Sequence, residues 1–253
     1  MSDLDTKAEA LLADLKPTSP SAAPGQNFLP PHTRRDVPGQ YGSTPIWRAG
    51  EGPAALFVHG WDDTHRIWRH FAQDFLQNTR PVLLMDLPSH GASKVEYCTP
   101  ETASVSVAET CAAEGPIDTI IAHSFGCEAT VRAIAAGAHA DYLVLIAPPL
   151  LDWADYQHLK GHDDETITRA RELLAERGGE IMSRVDFREA LADYKGAILL
   201  VGSQADKSSP LPLIRELANG LASAKLVEDD TLSHRDIALD PRILSEITTF
   251  LGY

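Results

Sequence analysis

Cysteine is scarce in this chain. Only Cys98, Cys111 and Cys127 occur among 253 residues, and none of them forms a C-x-x-C pair. An odd number leaves at least one thiol unpaired, and free thiols in a reducing compartment are the simpler reading. Positive charge is also short: 22 Lys and Arg face 36 Asp and Glu, a formal net charge of −14. A nucleic-acid partner needs clustered cations on one face, and an anionic membrane surface needs them as well, so both are excluded as expectations. Long apolar runs are missing too. None approaches the ~18 residues of a membrane-spanning helix, and the acidic start MSDLDTKAEALLADLK lacks the basic end and apolar core of a secretory signal. A cytoplasmic protein acting on a small molecule is the expectation.

What is present is the composition of a globular chain, with 43% hydrophobic and 23% charged residues. Leu4, Ala8, Leu11, Leu12 and Leu15 have helical spacing over residues 3–16. Between residues 17 and 38 lie Pro17, Pro20, Pro24, Pro30, Pro31 and Pro38. That stretch reads as an extended surface arm, packed on its own domain or on a neighbouring subunit. A homodimer therefore stays open. Residues 1–44 are assigned to this helix and arm, and residues 45–253 to the main domain.

From there the texture alternates. Ala54–Val58, Pro81–Met85, Ile117–Ala122, Tyr142–Ala147, Ala197–Val201 and Ala224–Val227 read as strands. Thr64–Gln77, Ala103–Ala113, Ser124–Ala136, Leu211–Ala218 and His234–Leu251 read as helices. Continuous apolar strands alternating with helices predict an α/β fold whose mostly parallel central sheet is covered on both faces. One connection breaks the rhythm. About fifty residues separate LVLIAPP from AILLVG, where ~2–6 are usual. Helical patterns at Asp164–Glu176 and Val185–Tyr194, with a break at Gly178 and Gly179, suggest a small helical lid at about 150–195.

Several polar motifs fall at predicted strand ends: His59-Gly60-Trp61, then DLPSHGAS from Asp86, then IAHSFGC around Ser124, then GSQAD ending at Asp206. His234 follows in LSHRD, ahead of the last helical pattern. In this order the motifs resemble the α/β-hydrolase family from about Ile46 onward, with the lid after the sixth family strand. One departure stands out. The family's G-x-S-x-G turn carries Ala122 in place of the first glycine, which adds one methyl, and Cys127 replaces a small residue that often follows.

The resemblance implies a serine hydrolase. Ser124 is the expected nucleophile, His234 the general base, and Asp206 the acid that orients the base, with Asp152 as the rival carboxylate. By position in the motifs, the backbone N–H groups of Trp61 and Phe125 are the expected oxyanion donors. Trp61, Phe125 and Trp153 are the candidate substrate-binding side chains. The expected reaction is cleavage of a carboxylic ester, or a related acyl bond, of a small soluble substrate through an acyl-enzyme. Thioesterase, C–C bond hydrolase and perhydrolase chemistry use the same residues and remain alternatives, as does a non-catalytic ligand-binding protein of this fold. Haloalkane dehalogenases and epoxide hydrolases carry aspartate where Ser124 stands. No cofactor and no metal is expected. His158, His162, Asp163 and Asp164 invite a metal site, but a solvated face is the better reading of so polar a segment. His59, His90 and His123 are read as structural imidazoles satisfied by local hydrogen bonds.

Overall fold

A computed structural model describes residues 2–13, 17–18, 28–30, 32–177 and 184–253. The strands in chain order are β1 (Thr33–Val37), β2 (Thr44–Ala49), β3 (Ala54–Val58), β4 (Val82–Met85), β5 (Ile117–His123), β6 (Tyr142–Ile146), β7 (Ala197–Ser203) and β8 (Ala224–Asp229). The helices are α1 (Asp3–Ala13), α2 (Arg69–Gln77), α3 (Pro100–Glu114), α4 (Phe125–Ala135), α5 (Trp153–Leu159), α6 (Asp164–Glu176), α7 (Phe187–Ala190), α8 (Leu211–Gly220) and α9 (Pro241–Leu251). The strands form one eight-stranded sheet in the order β1-β2-β4-β3-β5-β6-β7-β8. β3 to β8 are parallel, and β1 and β2 run antiparallel at one edge.

The continuous apolar strands divide their side chains between two layers, because successive residues of a strand point to opposite faces. Leu56, Val58, Ile120, Ala122, Leu143 and Leu145 face one core, shared with Val107 of α3 and Cys127 and Val131 of α4. Phe57, Leu84, Ile121, Val144 and Ile146 face the other, shared with Phe71 and Phe75 of α2 and Ile243 and Ile247 of α9. Full burial of each such Phe or Leu stabilises the fold by about 1.5–3 kcal/mol.

The sheet begins earlier than the arm reading allows. Thr33–Val37 pairs with β2, and Val37 is buried against the core. A strand with only one buried side chain, exposed along the rest, carries too little apolar signal to register as a strand. Part of the proline-rich stretch, residues 19–27 and 31, lies outside the described residues, as do residues 14–16 of the first helical pattern and the break at Gly178 and Gly179. At the C-terminus, His234–Leu251 is not one helix. A single 3-10 turn at Asp236–Ala238 precedes α9, which starts at Pro241 behind an Asp240 cap whose carboxylate accepts from the Arg242 N–H. Within Val185–Tyr194 only Phe187–Ala190 is helical.

Among the described residues, the long connection between β6 and β7 carries helices α5, α6 and α7. α1 packs on this insertion: Ala8, Leu11 and Leu12 meet Ile167, Ala170 and Leu173 of α6. Asp5 accepts from Arg169 at 2.7 Å, and Glu9 pairs with Arg177. The N-terminal helix therefore joins the polar insertion instead of the sheet.

Candidate active site

β5 ends at His123, and the chain turns sharply into α4. Ser124 occupies the turn at φ 51° and ψ −125°, a conformation that costs a non-glycine residue about 1–3 kcal/mol. Its N–H donates to the Ile146 carbonyl at 2.9 Å and its carbonyl accepts from Cys127 at 2.8 Å, so the strain is held in place from both sides. The Cys127 thiol is buried beneath the turn, which pushes its pKa well up, and it donates to the Ala122 carbonyl at 3.3 Å.

The two small residues of the motif face different demands. A Cβ on Gly126 would lie 2.5 Å from the His59 carbonyl oxygen and 2.7 Å from that of Val58, both backbone atoms. Ala122 is fully buried between Val58 and Leu145, and its methyl takes an ordinary place in the core. The extra methyl of the departure from G-x-S-x-G is thus packed, whereas one at position 126 would strike β3. Gly126→Ala is expected to lower stability by about 1–3 kcal/mol, read by thermal unfolding. A variant with an unchanged midpoint would show that the turn relaxes freely.

His234 reaches this serine from the loop after β8. Its Nε2 lies 2.7 Å from Ser124 Oγ, and its Nδ1 lies 2.7 Å from Asp206 Oδ2. Since an ionised carboxylate only accepts, Nδ1–H donates to Asp206 and Nε2 is left to accept the serine hydroxyl proton. The Asp206 side chain is fully buried. Its other oxygen, Oδ1, accepts from the Ser208 N–H at 2.8 Å and the Ser209 N–H at 3.1 Å. The Ser209 hydroxyl in turn donates to the Ala147 carbonyl at the end of β6. The rival carboxylate, Asp152, is employed elsewhere: it caps α5, accepting from the Ala154 N–H at 2.9 Å.

Phe125 is the first residue of α4, so its N–H is among those with no acceptor inside the helix. Trp61 stands across from it, the two rings edge-to-face at 5.3 Å. The Gly60 carbonyl accepts from His59 Nδ1 at 2.7 Å and from the Asp63 N–H at 3.3 Å. Carbonyl and N–H of a trans peptide point in opposite directions, so these two bonds also set the direction of the Trp61 N–H. Trp153 is placed differently. It packs on the cluster formed by α1 and α6, with the Arg171 guanidinium 5.5 Å from its ring centroid.

The remaining histidines divide by reach. His59 Nε2 accepts from the Leu87 N–H at 3.0 Å, and burial pushes its pKa down to about 4. His90 donates to Pro88 and accepts from the Asp62 N–H, with burial again lowering its pKa. His123 is not satisfied locally: its Nε2 donates to the His234 carbonyl at 2.8 Å, a partner 111 residues away. Burial pushes this imidazole down to about 3, with His234 nearby adding to the effect, so it stays neutral under the loop that carries His234. Asp86 lies buried beneath the DLPSHGAS turn. Burial raises its pKa, but hydrogen bonds from the N–H and Nδ1 of His65 outweigh this and hold it below the usual carboxylate range. Gly91, at φ 52°, is required there, because a Cβ would lie 2.1 Å from the Asp86 carboxylate.

His158 Nε2 lies 3.2 Å from the Asp164 carboxylate on the exposed surface. Among the described residues no group of three or more His, Cys, Asp or Glu could hold a metal ion.

Residues 55–246 match the model of the alpha/beta hydrolase family. The chain belongs to that family. This alpha/beta hydrolase resembles an esterase of Pyrococcus furiosus at a TM-score of 0.70 and 16% identity, over 92% of this chain and 97% of the other. An esterase of Rhodococcus sp. ECU1013 aligns at 0.68 with 18% identity, over 87% of this chain and 98% of the other. A Mycobacterium tuberculosis protein described as a non-heme bromoperoxidase aligns at 0.65 with 16% identity, over 85% and 97%. At such identities the likeness is one of fold. No curated protein matches the sequence. No described helix of this hydrolase is long and apolar enough to cross a membrane.

Proposed function

We propose that this alpha/beta hydrolase is a serine hydrolase that cleaves a carboxylic ester, or a related acyl bond, of a small molecule. The observation that carries this reading is the unbroken chain of hydrogen bonds from Ser124 Oγ through His234 to Asp206, each link 2.7 Å. Ser124 attacks the acyl carbon while His234 Nε2 takes its proton, and the buried Asp206 carboxylate stabilises the imidazolium that forms. Negative charge developing on the carbonyl oxygen is met by the N–H groups of Phe125 and Trp61, helped by the N-terminal end of α4. His234 returns the proton to the leaving oxygen, and the acyl group stays on Ser124. A water, deprotonated by the same imidazole, then attacks the acyl carbon; the bond to Ser124 Oγ breaks, the imidazolium returns the proton to that oxygen, and the acid leaves.

The paired rings of Trp61 and Phe125 flank this serine and supply apolar surface for the acyl group. The role of Trp153 is indirect: it supports the α1–α6 layer, and α5 to α7 form the lid. Three free cysteines fit a reducing, cytoplasmic setting.

The test is covalent labelling. A fluorophosphonate probe should react at one-to-one stoichiometry, and peptide mapping should find the adduct on Ser124. A p-nitrophenyl acetate or butyrate substrate added in excess should slow the labelling. An unlabelled protein, or an adduct on any other serine, would overturn the proposal.

A further inference from the structure

His234 and the oxyanion loop come from opposite ends of the sequence, yet both must address the same acyl carbon. The base is held by Asp206 through its ring and by His123 through its carbonyl. His123 packs against Gly60, where a Cβ would lie 2.9 Å from its Nδ1, but that nitrogen makes no hydrogen bond to residues 60–63. The link to that loop runs through the next residue. Arg235 donates from Nη2 to Asp63 Oδ1 at 2.8 Å and from Nε to Asp63 Oδ2 at 3.2 Å.

We propose that Arg235 and Asp63 are positioning residues, a two-point clasp that keeps the base loop in register with the oxyanion loop during the reaction at Ser124. The inference rests on the serine-hydrolase reading above. Its structural logic is a short chain of bonds. The Asp63 N–H donates to the Gly60 carbonyl, and that carbonyl belongs to the peptide whose other end is the Trp61 N–H. Moving Asp63 therefore turns the Trp61 donor. The carboxylate of the same Asp63 is gripped by the residue that follows His234 in sequence. A guanidinium bound through both nitrogens to both oxygens fixes orientation as well as distance, which a single point contact does not.

The Asp63 side chain is only 11% exposed while that of Arg235 is 61% exposed, so the clasp closes over the loop from the solvent side. On the neighbouring residue the loop is gripped again: Thr18 donates its N–H to Asp62 Oδ1 at 2.6 Å and its hydroxyl to Oδ2 at 3.0 Å. Asp62 itself sits at φ 59°, a conformation that persists only where surroundings enforce it. With the Arg235 half of the pair open to solvent, its contribution to folding stability is modest. Its effect should appear in the rate.

The experiment compares Asp63→Asn, Arg235→Gln and the double variant with the unaltered protein, using p-nitrophenyl acetate and the fluorophosphonate probe. Each single variant is expected to lose roughly tenfold in kcat with KM within about twofold. The double variant should be no worse than either single one, because the two side chains act as a unit. Thermal midpoints should stay within about 4 °C. Losses that multiply to about a hundredfold in the double variant would overturn the clasp. So would single variants that turn over like the unaltered protein, or a rise in KM at constant kcat. Failure of the unaltered protein to label at Ser124 would remove the serine-hydrolase reading and the clasp with it. Normal labelling of the unaltered protein beside any of the former results removes the clasp alone.

Discussion

Ser124→Ala is expected to abolish ester turnover, with kcat falling by roughly a millionfold to the level left by binding and the oxyanion donors. The reason is local. Ser124 Oγ is the atom bonded to His234 Nε2, and alanine leaves the base with nothing to deprotonate but water. The backbone should barely notice. Alanine at φ 51° carries the same strain as serine, and the Ser124 N–H and carbonyl keep their partners on Ile146 and Cys127. The thermal midpoint should therefore move by no more than about 2 °C. Stopped-flow mixing with p-nitrophenyl acetate measures both a burst and a steady rate, and the variant should show neither. Turnover within a hundredfold of the unaltered protein would mean that the acyl group is not carried on this serine.

Asp206→Asn should cost about ten-thousandfold in kcat although it changes a single atom. Oδ1 of Asp206 accepts two backbone N–H groups, from Ser208 and Ser209. An asparagine must keep its oxygen at that position, because turning its NH2 toward two donors would leave buried groups unsatisfied. The NH2 then faces His234 Nδ1 and forces the proton onto Nε2. In that tautomer the base cannot accept the serine proton. Asp152→Asn is the companion measurement: Asp152 caps α5 and makes an exposed pair with Arg171 at 3.7 Å, asparagine caps a helix as well as aspartate does, and an exposed pair contributes little. Its kcat/KM should stay within about twofold of the unaltered value. The opposite ranking of the two variants would transfer the orienting role to Asp152.

Much of this architecture was legible beforehand, and for identifiable reasons. β3, β5 and β6 are unbroken apolar runs because both of their faces are covered, so their signal survives without knowledge of their neighbours. The edge strand β1 has one buried residue and was read as surface arm. Ser124, Asp206 and His234 were nameable because each follows a strand end in a fixed order. The geometry brings those side chains within hydrogen-bond reach of one another. Residue type alone places Trp153 beside Trp61 and Phe125 as a candidate. The fold packs it on α1 and α6, because α1, distant in sequence, supplies an apolar face there.

The sequence by itself determined the alternation of strands and helices, the polar residues at the strand ends and their order. Those features depend on local chemistry: side-chain period, turn residues and the need for small groups at the elbow. Only the tertiary structure decided which carboxylate meets His234, what His123 holds, where α1 docks, and that Arg235 grips Asp63. These are contacts between residues far apart in the chain, formed where loops from different strands converge at one end of the sheet. Ala122 shows the division most plainly. From the sequence it is a missing glycine, and from the fold it is a methyl group packed between Val58 and Leu145, while the backbone that tolerates no side chain presses on Gly126.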